Sequence, residues 1–139
     1  MIRKIGFAVL LLVTLSSQAQ GTFWDNHELV MLFSSQCPHC QNMGITVSRF
    51  LKNSPLPFRG LSIDGRGVNG IPSYERVPTD FIKAAFNNSD VVYPATFILE
   101  KQTLKLYPLA IGEISEQALR ARINMLASKI MQFGKGGLS

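Results

Sequence analysis

Apolar residues fall into two patterns along the chain. Short apolar-rich runs occupy residues 29–33 (LVMLF), 58–63 (FRGLSI) and 95–100 (ATFILE), as in strands buried within a sheet. A fourth run, 104–111, follows the polar turn Lys101-Gln102-Thr103 and predicts an antiparallel return strand, which Pro108 places at a sheet edge. Elsewhere the spacing is helical. Met43, Val47, Phe50 and Leu51 share one face of a helix that Pro38 opens, with Cys37 in the cap position, and that Asn53-Ser54-Pro55 stops. Gly44 weakens its middle. Thr79 or Asp80 caps a short helix through Phe86, ended by Asn87-Asn88. Ser115 caps the last helix, whose residues Leu119, Ile123, Leu126, Ile130 and Phe133 form one core-facing stripe before Gly134, Gly136 and Gly137 end it.

The order β-α-β-α-β-β-α predicts an α/β architecture, a mixed four-stranded sheet with flanking helices and right-handed crossovers. Residues 21–27 read as a loose lead-in, with Phe23 and Trp24 padding the core and His27 a surface or loop histidine. Residues 64–78 read as a Gly- and Pro-rich loop, long enough to suggest a functional or mobile segment.

The N-terminus carries a different message. Arg3 and Lys4 precede an apolar stretch over residues 5–15, then the polar, small residues Ser16 to Gln20. This is the layout of a secretory signal peptide at 1–19, with cleavage after Ala19 and one domain over 20–139. A membrane-spanning helix needs about 20 apolar residues, more than this stretch supplies. The chain is thus expected in an exported setting where disulfides persist. With 46% apolar and 17% charged residues it can build a core, which excludes a disordered chain. Net charge is +5, but removing Arg3 and Lys4 leaves 12 basic against 9 acidic residues. The remaining basic residues are scattered, so no nucleic-acid partner is expected.

Two cysteines cannot form a disulfide framework, yet their spacing is informative. In Cys37-Pro38-His39-Cys40 two thiols close a small ring and can cycle between dithiol and disulfide. A cysteine at a helix N-terminus meets unpaired backbone N–H groups and the positive end of the helix dipole, both of which favour a thiolate. Thiolate is the attacking species in disulfide exchange, so Cys37 is the expected nucleophile and Cys40, one turn inward, the resolving thiol. His39 could support the thiolate by charge or by hydrogen bonding. Pro38 fixes the turn. The competing readings are an inert structural disulfide, a metal site drawing on His39 and His27, and a chance spacing.

The runs LVMLFSSQCPHC and VVYPATFIL, and the Gly112 turn before the last helix, resemble the thioredoxin superfamily over residues 28–133. The resemblance implies the thioredoxin fold, a cis proline at Pro94 facing the cysteine pair, and a backbone at Tyr93 that pairs with an extended substrate. It implies no cofactor. Thioredoxins carry a buried acid six residues before the first cysteine; Met31 stands there instead. The small exported domain is similar to the disulfide isomerases of F-type conjugative transfer systems. That similarity implies a periplasmic isomerase or oxidase. Its partners would be cysteine-containing secreted or pilus-assembly proteins, together with a membrane redox partner that recharges the pair. A reductase of the cytochrome c maturation type and a non-catalytic adaptor of a secretion assembly are the alternatives.

Overall fold

A computed structural model describes residues 21–136. The expected signal peptide at 1–19 and the tail beyond residue 136 lie outside them. Nine elements follow in order: α1 (Gly21–Asn26), β1 (His27–Phe33), α2 (Pro38–Asn53), β2 (Phe58–Ser62), β3 (Glu75–Arg76), α3 (Thr79–Phe86), β4 (Ala95–Glu100), β5 (Leu106–Ile111) and α4 (Glu116–Gly136). The sheet runs β3-β2-β1-β4-β5, with β1, β2 and β3 parallel and β4 and β5 antiparallel to their neighbours. The α/β thioredoxin fold expected from the sequence is therefore present.

The unbroken run of β1 follows from its central place, because every residue of it is buried. The two-residue period of a strand divides its side chains between two layers. Leu29, Met31 and Phe33 pack with Met43, Val47 and Phe50 of α2 and Leu119 and Ile123 of α4. Val30 and Leu32 pack on the other side with Leu61 and Phe97, beneath Phe81, Ile82 and Phe86 of α3. Phe97 meets Phe81 and Phe86 edge-on, at centroid distances of 5.6 and 6.3 Å. Burying each such side chain contributes about 1.5–3 kcal/mol. Pro108 lies in β5, an edge strand, where its missing N–H costs no ladder bond to a further strand.

The structure departs from the sequence expectation in several places. A fifth strand, β3, joins the four expected ones from within the 64–78 segment; its two residues pair with Leu61 and Ser62 and carry no apolar pattern that could announce them. The lead-in is the helix α1, and Phe23 is buried as expected. His27 is not a surface residue: it opens β1, stacks on Phe23 at 4.0 Å and shares a 2.8 Å hydrogen bond between Nδ1 and the Phe23 carbonyl. Neither Thr79 nor Asp80 caps α3, since Pro78 holds the cap position and makes no side-chain cap bond. The stripe on α4 reaches the core through Leu119, Ile123 and the partly buried Leu126, and leaves it beyond them. Leu119 and Ile123 are buried, but Phe133 is 69% exposed because the helix outruns the sheet beneath it.

Gly44 has a role beyond weakening a helix. A Cβ there would lie 2.2 Å from the Asn69 carbonyl oxygen, because residues 68–70 of the long loop press onto α2 at this point. Gly70, at φ +81°, lets that loop turn against the Gly44 carbonyl. Helix propensity alone would make Gly44→Ala stabilising by about 1 kcal/mol. The backbone clash should reverse the sign, giving a loss of about 1–3 kcal/mol in urea unfolding. A more stable variant would show that the loop does not press on the helix.

Candidate functional site

The two cysteines lie where β1 gives way to α2. The turn through Ser34 to Gln36 is closed by a Cys37 N–H bond to the Ser34 carbonyl at 3.2 Å. Cys37 is then the cap residue of α2, extended at φ −98° and ψ 115°, with Pro38 in the first turn as the sequence predicts. Its sulfur accepts the Cys40 N–H at 3.2 Å, so one of the free donors of the helix start is aimed at it. Both cysteines are free thiols, Cys37 half-buried and Cys40 fully buried. Burial, first, and the hydrogen bond with Cys37, second, push the Cys40 thiol up to about 12, and the Asp64 charge adds to this. Cys40 is thus held as a thiol at neutral pH.

Pro94 stands opposite, buried, behind a cis Tyr93–Pro94 bond. The Cys37 sulfur lies 3.9 Å from the Tyr93 carbonyl oxygen. Gly112, at φ +88°, donates its N–H to the Pro94 carbonyl at 2.7 Å and fixes the β5–α4 turn against the cis-proline strand. A groove of about 550 Å³ runs here between His39, Tyr93, Pro94, Glu113 and Ile114. Val91, Val92 and Tyr93 lead into it as an exposed apolar stretch. A larger cavity, about 710 Å³, lies elsewhere, along Lys52, Arg59, Tyr74 and Glu75, and includes neither cysteine.

Of the expected site residues, the structure brings Cys37, Pro38, Cys40, Tyr93 and Pro94 together. His39 it places differently from the simple expectation. The ring is mostly exposed, and its Nδ1 lies 2.8 Å from the Glu113 carboxylate rather than against the Cys37 sulfur. His27 is far along β1 from this site, bonded to Phe23. Among the described residues no three of His, Cys, Asp and Glu gather as a metal site. Met31 is buried in the core.

Two residues that the sequence reading passed over, Asp64 and Gln41, brace the turn before Cys37. The Asp64 carboxylate receives the Ser35 backbone N–H at 3.2 Å, the Ser35 hydroxyl, the Ser62 hydroxyl at 3.0 Å and the Arg66 N–H at 3.3 Å. The Gln41 amide donates to the Ser35 carbonyl at 2.9 Å and accepts the Asn69 N–H at 2.7 Å. The segment 64–78 is therefore tied to the cysteine turn. These donors, the Ser35 hydroxyl foremost, hold the Asp64 carboxyl well below the usual carboxylate range. Parallel pairing of Phe33 with Ser62 was the available signal, since it sets residue 64 beside residue 35.

Fold and site together define a thioredoxin-fold protein with a CxxC pair facing a cis proline. The chain belongs to the TraF family, described as F plasmid transfer operon protein, whose model matches residues 19–124. It is 26% identical over 110 residues to Protein TrbB of Escherichia coli strain K12, covering 79% of this chain and 60% of that relative, so it spans less than two thirds of TrbB. The fold is shared with a thioredoxin-family thiol:disulfide interchange protein from Chlorobium tepidum (TM-score 0.55, 14% identity, 77% of this chain and 83% of that one). It is shared too with a thioredoxin-related protein from Neisseria meningitidis serogroup B (TM-score 0.53, 17% identity, 75% and 86%).

Asp64 yields a pH prediction. An aspartate titrates at about 3.9 when unfolded, and the folded carboxyl lies lower, so its contribution is present above that pH and is lost as pH falls toward the folded value. Asp64→Asn should lower the urea midpoint at pH 7 and flatten its decline on acidification between about pH 5 and pH 2. An unchanged acid profile would mean that the network does not stabilise the turn.

Proposed function

We propose that the protein is a thiol–disulfide oxidoreductase, working as an isomerase or oxidase on exported proteins. The observation that carries this reading is the half-exposed Cys37 sulfur at a helix start, beside the Tyr93 carbonyl and cis Pro94, with Cys40 buried beneath it. Cys37 as thiolate attacks a substrate disulfide; a Cys37–substrate S–S bond forms, and the second substrate sulfur leaves as a thiolate. Tyr93 and the apolar stretch before it hold the extended substrate, and Pro38 fixes the approach of the helix. A second substrate thiol then attacks the mixed disulfide, which gives isomerisation. Attack by Cys40 instead releases reduced substrate and leaves the Cys37–Cys40 disulfide.

The balance between the two outcomes depends on how readily Cys40 loses its proton. Burial holds that proton, and the nearby acids do not favour its removal. Met31 is apolar, and the Asp64 lone pairs are engaged by four donor groups. Slow resolution lengthens the life of the mixed disulfide, which supports isomerase behaviour. Membership of the TraF family supports conjugation-pilus assembly proteins of the periplasm as substrates. A membrane redox partner would recharge the pair.

Cys40→Ala should accumulate mixed disulfides with exported proteins, identifiable by mass spectrometry, whereas Cys37→Ser should trap none and lose refolding activity on scrambled disulfides. Full activity of Cys37→Ser in cells would return the protein to the role of a non-catalytic adaptor. Equilibration with glutathione should give a potential of about −120 to −180 mV; a value near −270 mV would identify a reductase instead.

A further inference from the structure

His39 sits between the two cysteines in sequence, yet its ring is engaged from across the groove. Nδ1 lies 2.8 Å from Glu113 Oε2, and the Asn42 amide donates to the same oxygen at 3.5 Å. Glu113 is held in place from its other side, because the preceding Gly112 is bonded to the Pro94 carbonyl. Hydrogen bonding from His39, then from Asn42, lowers the Glu113 carboxyl below its ordinary value, so it is an anion at neutral pH. Among the described residues, Glu113 is the hydrogen-bond partner of the ring.

We propose that Glu113 is a positioning residue that sets the redox balance of the Cys37–Cys40 pair by holding the His39 ring. This rests on the thiol-exchange reading above. The Nδ1 proton is shared with the carboxylate and is withheld from the sulfur. Any positive charge on the ring is matched by the negative charge of Glu113, so the Cys37 thiolate faces a nearly neutral pair rather than a free cation. The thiolate exists only in the reduced form. Withholding the cation therefore disfavours the dithiol and makes the disulfide a weaker oxidant. The other titratable groups around the sulfurs are Cys40 on α2, Asp64 after β2 and Tyr93 before β4.

The test is equilibration with glutathione at pH 7. Protein disulfide and two glutathione thiols give protein dithiol and one glutathione disulfide, a two-electron exchange. The His39 side chain is 74% exposed and that of Glu113 34%, so the effect belongs to the scale of surface pairs. Glu113→Gln should shift the equilibrium toward dithiol by about two- to fivefold at low salt, and less at high salt. The alkylation profile of Cys37 should move to lower pH. In a His39→Ala background the same substitution should do nothing. An unmoved equilibrium, or an equal shift without His39, overturns the proposal. If the wild-type pair fails to exchange with glutathione at all, the proposed function falls and this inference with it; a pair that exchanges normally but ignores Glu113 overturns this inference alone.

Discussion

β1 is covered on both faces, and where it stops decides where chemistry can occur. From Leu29 to Phe33 both of its faces are apolar, so over that stretch side-chain size, not polarity, sets the register. A slip of one residue would exchange Leu29, Met31 and Phe33 with the smaller set Val30 and Leu32 in two filled layers. Overpacking costs about 1–3 kcal/mol per site, and domains of this kind are stable by about 5–15 kcal/mol in all. The strand therefore ends at Phe33, and the next residues must turn out of the core. Cys37 comes at the point where the emerging chain begins α2, as its half-buried cap residue.

That turn is braced from both flanks. On the β2 side, the Ile63 N–H bonds to the Phe33 carbonyl at 2.8 Å, which brings Asp64 to Ser35, while Gln41 ties the helix to Asn69. On the β4 side, the Pro94 carbonyl is bonded to Gly112. The Cys37 sulfur thus sits on a frame with few degrees of freedom, whereas Val91, Val92, Tyr93 and His39 around it remain exposed. The proposed exchange on extended chains would draw on both properties. The sulfur geometry is fixed in advance, and the surroundings are apolar without being shaped to one partner.

Much of this was legible in the sequence because the signals were local. Pro38 after Cys37, the run of β1 and the stop at Asn53 place Cys37 at a helix start without any long-range information. The ATFILE run matches β4 residue for residue. The parts that escaped depend on distant pairing. β3 is held by two residues against the edge of β2, so its existence is decided by tertiary contact and not by its own composition. His27 reads as polar, but its place at the first position of a central strand buries it. Gly44 reads as a helix defect until the loop that needs its missing side chain is in place. Asp64 and Glu113 each follow a strand end, and neither has a local pattern pointing to the cysteines.

Those two carboxylates give the site its electrostatic character. The start of α2 directs a backbone N–H, and the positive end of a helix dipole, at Cys37. Such a terminus contributes typically about 0.3–1 kcal/mol to an adjacent anion, the same order as a surface ion pair. Asp64 stands on one side of the helix start, beside Ser35 and acting on Cys40; Glu113 stands on the other and holds the histidine of the motif. Because the opposing contributions are similar in size, neither side dominates. The pair's oxidising strength is therefore set by small differences, and a motif read alone as Cys-Pro-His-Cys overstates what the histidine can do. The fold places the cysteines, while acids supplied by two separate loops adjust how strongly they react.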